Sequence, residues 1–396
     1  MVLWQSLRDV WMWAGVPPEQ RGDLFGPPPD ADRDLSLRAC GEAPELARAL
    51  ETFRVMREAA HVVEGHRVAE ACRQVCRWAE AGSMIELAAY FAEGAAVADP
   101  ENPARANEAA RLCRRAALDK RAVVWYERAF QLAVRAGSRR ESVWALLGYG
   151  SLLYGLGHYD RAKPIFEKVA KRAHRTGRRR TAAEAHHDLI LLCLDLGNFS
   201  HAEEHARLAE SLYPLQSRRI PYLVHDCAVL FIRENYHTSA LSLLRKLPSH
   251  FTARPAEATL VWSTVARAAA GAAQVELYRE AERRTLELAG MYDEHGAAAL
   301  VSLAEGARSL GDDVQAKHFS DLAVGIAKRR RDGGQARRAR DLSKRIERKE
   351  PVPREAPAPE EIGALARRLA ARLRMWKGRD SQVPPDPPAE ESPPTG

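Results

Sequence analysis

Four histidines within one short stretch are the first residues that could do chemistry: His186 beside His187, and His201 one helical turn from His205. Imidazoles spaced i, i+4 project from one helix face and can share a zinc ion. By helical register, His187 faces one side of its helix. His201 and His205 turn to the other side with Ala202 and Ala206, so the two pairs are not expected to meet. No HExxH motif accompanies them, and no metal is expected. Six cysteines (Cys40, Cys72, Cys76, Cys113, Cys193, Cys227) contain no CxxC pair. Cys72 and Cys76 lie one turn apart on an apolar face, where a thiol serves as a small hydrophobe. A nucleophile elbow, a phosphate-cradling loop and a dinucleotide fingerprint are all missing. Neither catalysis nor a cofactor is expected.

Arginine is the other residue with chemical reach. Lysine and arginine number 60 against 53 acidic residues, a net charge of +7. That excess favours acidic partners without demonstrating any. The basic residues recur in clusters: Arg139 and Arg140; Arg178, Arg179 and Arg180; Arg218 and Arg219; Lys328, Arg329, Arg330 and Arg331. A ladder of guanidiniums can track a phosphate backbone or an acidic protein, or can simply be a solvated edge. Asp293 and Glu294 interrupt the series, and no aromatics interleave for base stacking.

The elements that position these residues form a repeat. Gly155-Leu156-Gly157-His158-Tyr159-Asp160-Arg161-Ala162 returns forty residues later as Asp195-Leu196-Gly197-Asn198-Phe199-Ser200-His201-Ala202, and Ala122 precedes Ala162 by the same interval. A fixed period of this size marks stacked helical units. Composition agrees, with 46% hydrophobic residues, 29% charged and few β-branched runs. In the clearest unit, Leu146, Tyr149, Gly150 and Leu153 form one stripe, glycines break the helix, and Ala162, Phe166, Val169 and Ala173 form the next.

This pattern resembles the tetratricopeptide repeat, carried by the small Gly150, the Gly157–Tyr159 turn, the small Ala162 and the aromatic Phe166. Leu189, Gly197, Phe199, Ala202 and Ala206 continue it, and Ala110, Ala122, Tyr126 and Ala129 precede it. Fainter units pair Tyr236 with Ser239, Tyr278 with Ala281, and Gly311 with Ala316; Gly82 and Phe91 open the series. About seven units, spaced 35 to 42 residues, cover Gly65 to Arg331. Repeats of this length resemble those of bacterial regulators. The resemblance implies an all-α, right-handed α-solenoid of antiparallel helix pairs that binds along a concave groove. By register the groove contains Arg111, Arg114, Arg115, Tyr154, His187, Leu191, Leu194, Phe231 and Arg308.

The flanks divide further. Residues 1–25 carry an aromatic amphipathic helix that caps the first repeat, and 26–43 form a Pro/Gly linker before the array at 44–331. A basic capping helix is expected at 332–350, a proline linker at 351–359, a basic amphipathic helix at 360–378 and a disordered tail at 379–396. In the amphipathic helix Ile362, Leu365, Leu369, Leu373 and Trp376 form one stripe. It can fold onto its own array and gate the groove, enter a partner's groove, or lie on an anionic membrane. No run approaches the ~18 apolar residues of a membrane span, and the N-terminus is a poor signal peptide, so a cytoplasmic location is expected. The sequence therefore points to a non-catalytic scaffold, adaptor or regulator with a protein or peptide partner. The alternative is a helical-repeat nucleic-acid binder using the arginine ladder. Oligomeric state is not encoded legibly.

Overall fold

The computed structural model describes residues 2–22, 24–25, 43–289, 295–330 and 332–376. Among these, eighteen α-helices and no strand occur. They divide into two compact units: Met1–Arg172 with Ala327–Gly334, and Ala173–Ile326 with Gln335–Gly396.

Unit 1 contains α1 (Val2–Ala14), α2 (Ala47–Glu58), α3 (Gly65–Ala81), α4 (Ile85–Ala98), α5 (Pro103–Arg115), α6 (Asp119–Arg135), α7 (Arg139–Gly155) and most of α8 (Tyr159–Arg175). Helices α3 and α4, then α5 and α6, pack as hairpins, while α1 and α2 close the open end against α4 and α3. The closure is apolar with one polar anchor: Trp13 is 1% exposed, and its Nε1 donates to the Ala60 carbonyl at 2.7 Å. Buried Leu7 and Val10 complete it, and Trp4, Trp11 and Met12 stay exposed. The thiols of Cys72, Cys76 and Cys113 are buried, which pushes their pKa values well up and leaves them as core groups.

Unit 2 contains α9 (Arg179–Asp195), α10 (Phe199–Leu212), α11 (Ile220–Arg233), α12 (His237–Leu244), α13 (Pro255–Gly271), α14 (Val275–Ala289), α15 (Gly296–Ser309), most of α16 (Asp313–Arg329) and of α17 (Gly333–Glu347), and α18 (Glu360–Met375). Its core runs continuously through these helices, from Ala183 to Leu373.

One turn geometry joins the helices of each pair. Ser83, Ala117, Gly157, Gly197, Asn235, Ala273 and Gly311 all have φ between 56° and 83°. The following amide returns to the carbonyl five residues back, as in His158 to Leu153 (2.9 Å) and Asn198 to Cys193 (2.8 Å). This closes the helix in a Schellman motif. The left-handed residues are spaced 34, 40, 40, 38, 38 and 38 apart, so the period in unit 2 is constant. The residue five places on is buried each time: Ala88, Ala122, Ala162, Ala202, Ala240, Tyr278 and Ala316. Ser239 and Ala281, expected at this position from sequence, are therefore out of register by one and three residues. Ser83, Ala117, Asn235 and Ala273 stand where the other three turns carry glycine, which hides the period from a glycine search.

Close packing depends on two glycines of α7. A Cβ on Gly150 would lie 2.7 Å from the Phe166 ring, and one on Gly148 would enter the Tyr126 ring. The aromatics of α6 and α8 thus both press into α7 where it lacks side chains.

Candidate functional site

In unit 2 the first helices of successive pairs pack on one another, α9 on α11, α11 on α13 and α13 on α15. The 38-residue period then aligns their side chains in rows across this first-helix layer. One row is Leu191, Val229, Arg267 and Glu305; the next, one turn on, is Asp195, Arg233, Gly271 and Ser309. All eight are half-buried as residues, although the Asp195 side chain is only 8% exposed and the His237 ring fills the side-chain direction of Gly271. Polar contacts step between neighbouring helices at intervals of 38 or 39 residues. Arg267 Nη1 meets Glu305 at 2.8 Å, and Arg233 donates to the Leu194 carbonyl at 3.2 Å. His187 Nε2 donates to Asp226 at 2.9 Å, and His225 Nδ1 meets the same carboxylate at 2.9 Å. His225 Nε2 also lies 3.0 Å from Thr264 Oγ1. Burial alone would raise the Asp226 pKa, but the hydrogen bonds from both histidines outweigh it and hold the carboxyl well below its usual range.

The rows redraw the expected groove. Leu191 lies on the face, and His187 lies beside it, buried between Tyr213 and Asp226. Leu194 (1% exposed) and Arg308 (6%) belong instead to a packed row with Ile232 and Ala270. Phe231 (0%) belongs to another, with Cys193, Ala269 and Ala307. These three residues offer no surface to a partner; the Arg308 guanidinium is spent on the Arg345 and Glu350 carbonyls. In unit 1, Arg111 and Arg115 both grip Glu80, at 3.1 and 2.7 Å. Arg114 is half-buried, and Tyr154 packs on Tyr159 with ring centroids 5.6 Å apart.

The histidines also require correction. His186 meets His205 with its Nδ1 (3.2 Å) and His174 with its Nε2 (2.9 Å), because it lies on the side of α9 shared by α8 and α10. His201 is exposed. The two sequence pairs therefore do meet, through His186 and His205, and His174 is a third member the spacing did not reveal. His186 spends its two nitrogens in different directions, so the three rings do not aim at a single point. Among the described residues no His, Cys, Asp or Glu group is arranged to hold a metal. Burial first, then the neighbouring His205 and His174, lower the His186 pKa to about 4.

No family model matches this sequence, and no curated protein does. Solved structures do. A tetratricopeptide repeat protein from Parabacteroides merdae aligns at TM-score 0.42 and 14% identity, over 70% of this chain and 98% of that one. A Rap protein complexed with Competence and Sporulation Factor aligns at 0.38 and 11%, over 88% and 97%. Yeast Tom70 aligns at 0.36 and 14%, over 93% and 70%. Each unit is itself an array of antiparallel helix pairs joined by one recurring turn.

Within these helix pairs the arginine ladder is broken up. Arg139 is exposed at the start of α7, where Arg140 stacks over Trp144 at 4.4 Å. In unit 2, Arg178 is half-buried and Arg179 exposed at the start of α9, with Arg179 donating to the Ser211 carbonyl at 3.1 Å and Arg180 to Glu184 at 3.2 Å. Arg218 and Arg219 precede α11 at the same edge. Lys328 and Arg329 are exposed, but Arg330 donates to the Arg115 carbonyl at the far end of α5, opposite the edge that carries Arg139. This basic run therefore does not extend the ladder; Arg331 lies outside the described residues.

Helix α18 folds onto its own unit. Ile362, Leu365, Leu369 and Leu373 are at most 4% exposed, packed on α11 and α12, and Trp376 meets His250 edge-on at 5.3 Å. Arg372 donates to the carbonyls of Glu210 and Tyr213 and to the Glu210 carboxylate (3.3 Å), and Arg368 reaches Glu210 at 3.2 Å. The helix occupies the second-helix side between α10 and α12, where the short α12 leaves α11 uncovered. It does not occupy the first-helix face, so it does not gate that face by filling it.

Proposed function

We propose that this chain is a non-catalytic scaffold or regulatory adaptor that takes a protein or peptide along the first-helix face of unit 2. The observation that supports this most is the pair of half-buried rows, where apolar Leu191 and Val229 adjoin charged Arg267, Glu305, Asp195 and Arg233. An apolar centre with polar groups at its margin is the composition of a protein-binding face. The nucleic-acid reading is less favoured: Arg179 and Arg180 are engaged within unit 2, Arg140 is stacked, and the Arg330 segment leaves the ladder.

Photo-crosslinking tests the placement. With benzoylphenylalanine at Val229, lysate of the source organism should yield a discrete protein adduct that persists after nuclease treatment. The same group at Val124, 61% exposed on α6, should yield none. Equal labelling at both positions, or adducts that vanish with nuclease, would overturn the proposal.

A further inference from the structure

Three carboxyls gather around Arg207 where α18 begins. From α10, Arg207 Nη2 pairs with Glu203 at 2.7 Å and reaches Glu361, in the first turn of α18, at 3.5 Å. Glu203 also hydrogen-bonds the carboxyl of Glu234, the residue after α11. Ionised carboxylates only accept, so that bond needs a proton on one of the two. The Glu234 Oε2 atom is buried and has no hydrogen-bond partner among the described residues.

The turn after Glu234 also carries the approach to α18. The Asn235 carbonyl accepts from Ala356 N at 3.0 Å, and Glu355 accepts from Thr238 N, at the start of α12, at 2.7 Å. Movement of Glu234 therefore pulls on the segment that delivers α18. Burial first, then the charge and hydrogen bond of Glu203, push the Glu234 carboxyl up to about 7 against the opposing Arg207. Of the other groups around the turn, Tyr236 is pushed up by burial and then by both carboxylates, so it stays neutral. His237 is lowered by burial and then by Arg267, although Glu355 opposes them. Arg233 points elsewhere, to the Leu194 carbonyl and Asp195, and Glu355 and Glu361 are exposed.

We propose that the Glu203–Glu234 pair is a pH-sensitive latch on the start of α18, closed by a shared proton and opened by its loss. The folded carboxyl holds its proton more tightly than an ordinary glutamate. The stability this confers is complete below about pH 4.5 and is lost as pH rises through about 7. Once ionised, Glu234 Oε2 is a buried charge without a donor, and Glu234 competes with Glu361 for Arg207. The turn then opens to water and releases Ala356, Glu355 and the first turn of α18.

Amide hydrogen exchange on the full chain tests this, each rate divided by the intrinsic rate at its pH. The Ala356, Thr238 and Gly363 amides, all hydrogen-bonded across this junction, are the reporters. Between about pH 6 and 8.5 their open population should rise about tenfold, the effect of a tenfold difference in proton affinity between closed and open states. The Leu303 amide, in the core of α15, should show no such rise. Glu234→Gln keeps a donor for Glu203 but cannot titrate, so its reporters should be flat with pH. Glu203→Gln removes the shared proton from the other side and should flatten them too, which keeps the test decisive if one variant fails to fold. No rise in the parent chain, the same rise in a folded variant, or an equal rise at Leu303 would overturn the latch.

Discussion

At the residue scale, the most consequential side chain is His186. It is 6% exposed, and its folded pKa of about 4 lies below the ordinary histidine value, so the folded state favours the neutral ring. The sign follows: the contribution of neutral His186 is present above about pH 6.5 and is lost as pH falls towards 4. A shift of this size corresponds to roughly 3 kcal/mol. Urea midpoints measured from pH 7 to pH 4 should fall, and His186→Phe should flatten that fall. An unchanged pH dependence in the variant would contradict the assignment of that fall to His186. The contact was illegible in sequence for a specific reason. Spacing predicts which residues share a helix face, but His174, His186 and His205 sit on three helices, and only the packing of α8, α9 and α10 brings them together.

At the element scale, the turns separate what the sequence shows from what it hides. Gly157 and Gly197 announce their helix ends because glycine adopts positive φ without steric cost. Ala117 and Ala273 adopt the same conformation at φ +56° against the cost borne by any Cβ there. Relief of that strain outweighs the extra unfolded-chain entropy of glycine, so Ala117→Gly and Ala273→Gly should each stabilise by about 0.5–1 kcal/mol. Asn235→Gly should be nearly neutral, since Asn tolerates this region. Chemical denaturation of the three variants checks the order; destabilisation by Ala273→Gly would contradict the common turn geometry. Fixing the register on these turns also recovers the rows. Leu191 was legible as a face residue because its own repeat carries glycine, whereas Val229 and Arg233 precede a turn at Asn235 and Arg267 precedes one at Ala273.

At the scale of the molecule, helical periodicity made the array of pairs legible, but not its division into two units or the placement of α17 and α18. Both terminal helices are amphipathic, a pattern that fits a cap, a groove ligand and a filler equally well; the eight-residue α12 is what creates the seat for α18. That seat makes unit 2 selectively vulnerable. Arg372→Ala would leave Glu210, whose side chain is 11% exposed, with only the half-exposed Arg368, and would strip the Glu210 and Tyr213 carbonyls of their donor. Breaking such a pair costs about 3–5 kcal/mol. Repeat arrays transmit stability mainly between neighbours, so the loss should stay largely local. Six of the eight tryptophans, Trp4, Trp11, Trp13, Trp78, Trp125 and Trp144, lie in unit 1, which makes fluorescence chiefly its reporter. In the variant, helical ellipticity should begin to fall at lower urea than the tryptophan emission shifts, giving two resolved steps. A single transition, coincident by both probes and merely displaced, would mean instead that the units unfold as one cooperative body. A partner bound on the face of unit 2 would then be stabilising the whole chain, since its binding energy would be linked to one global equilibrium rather than to half of the array.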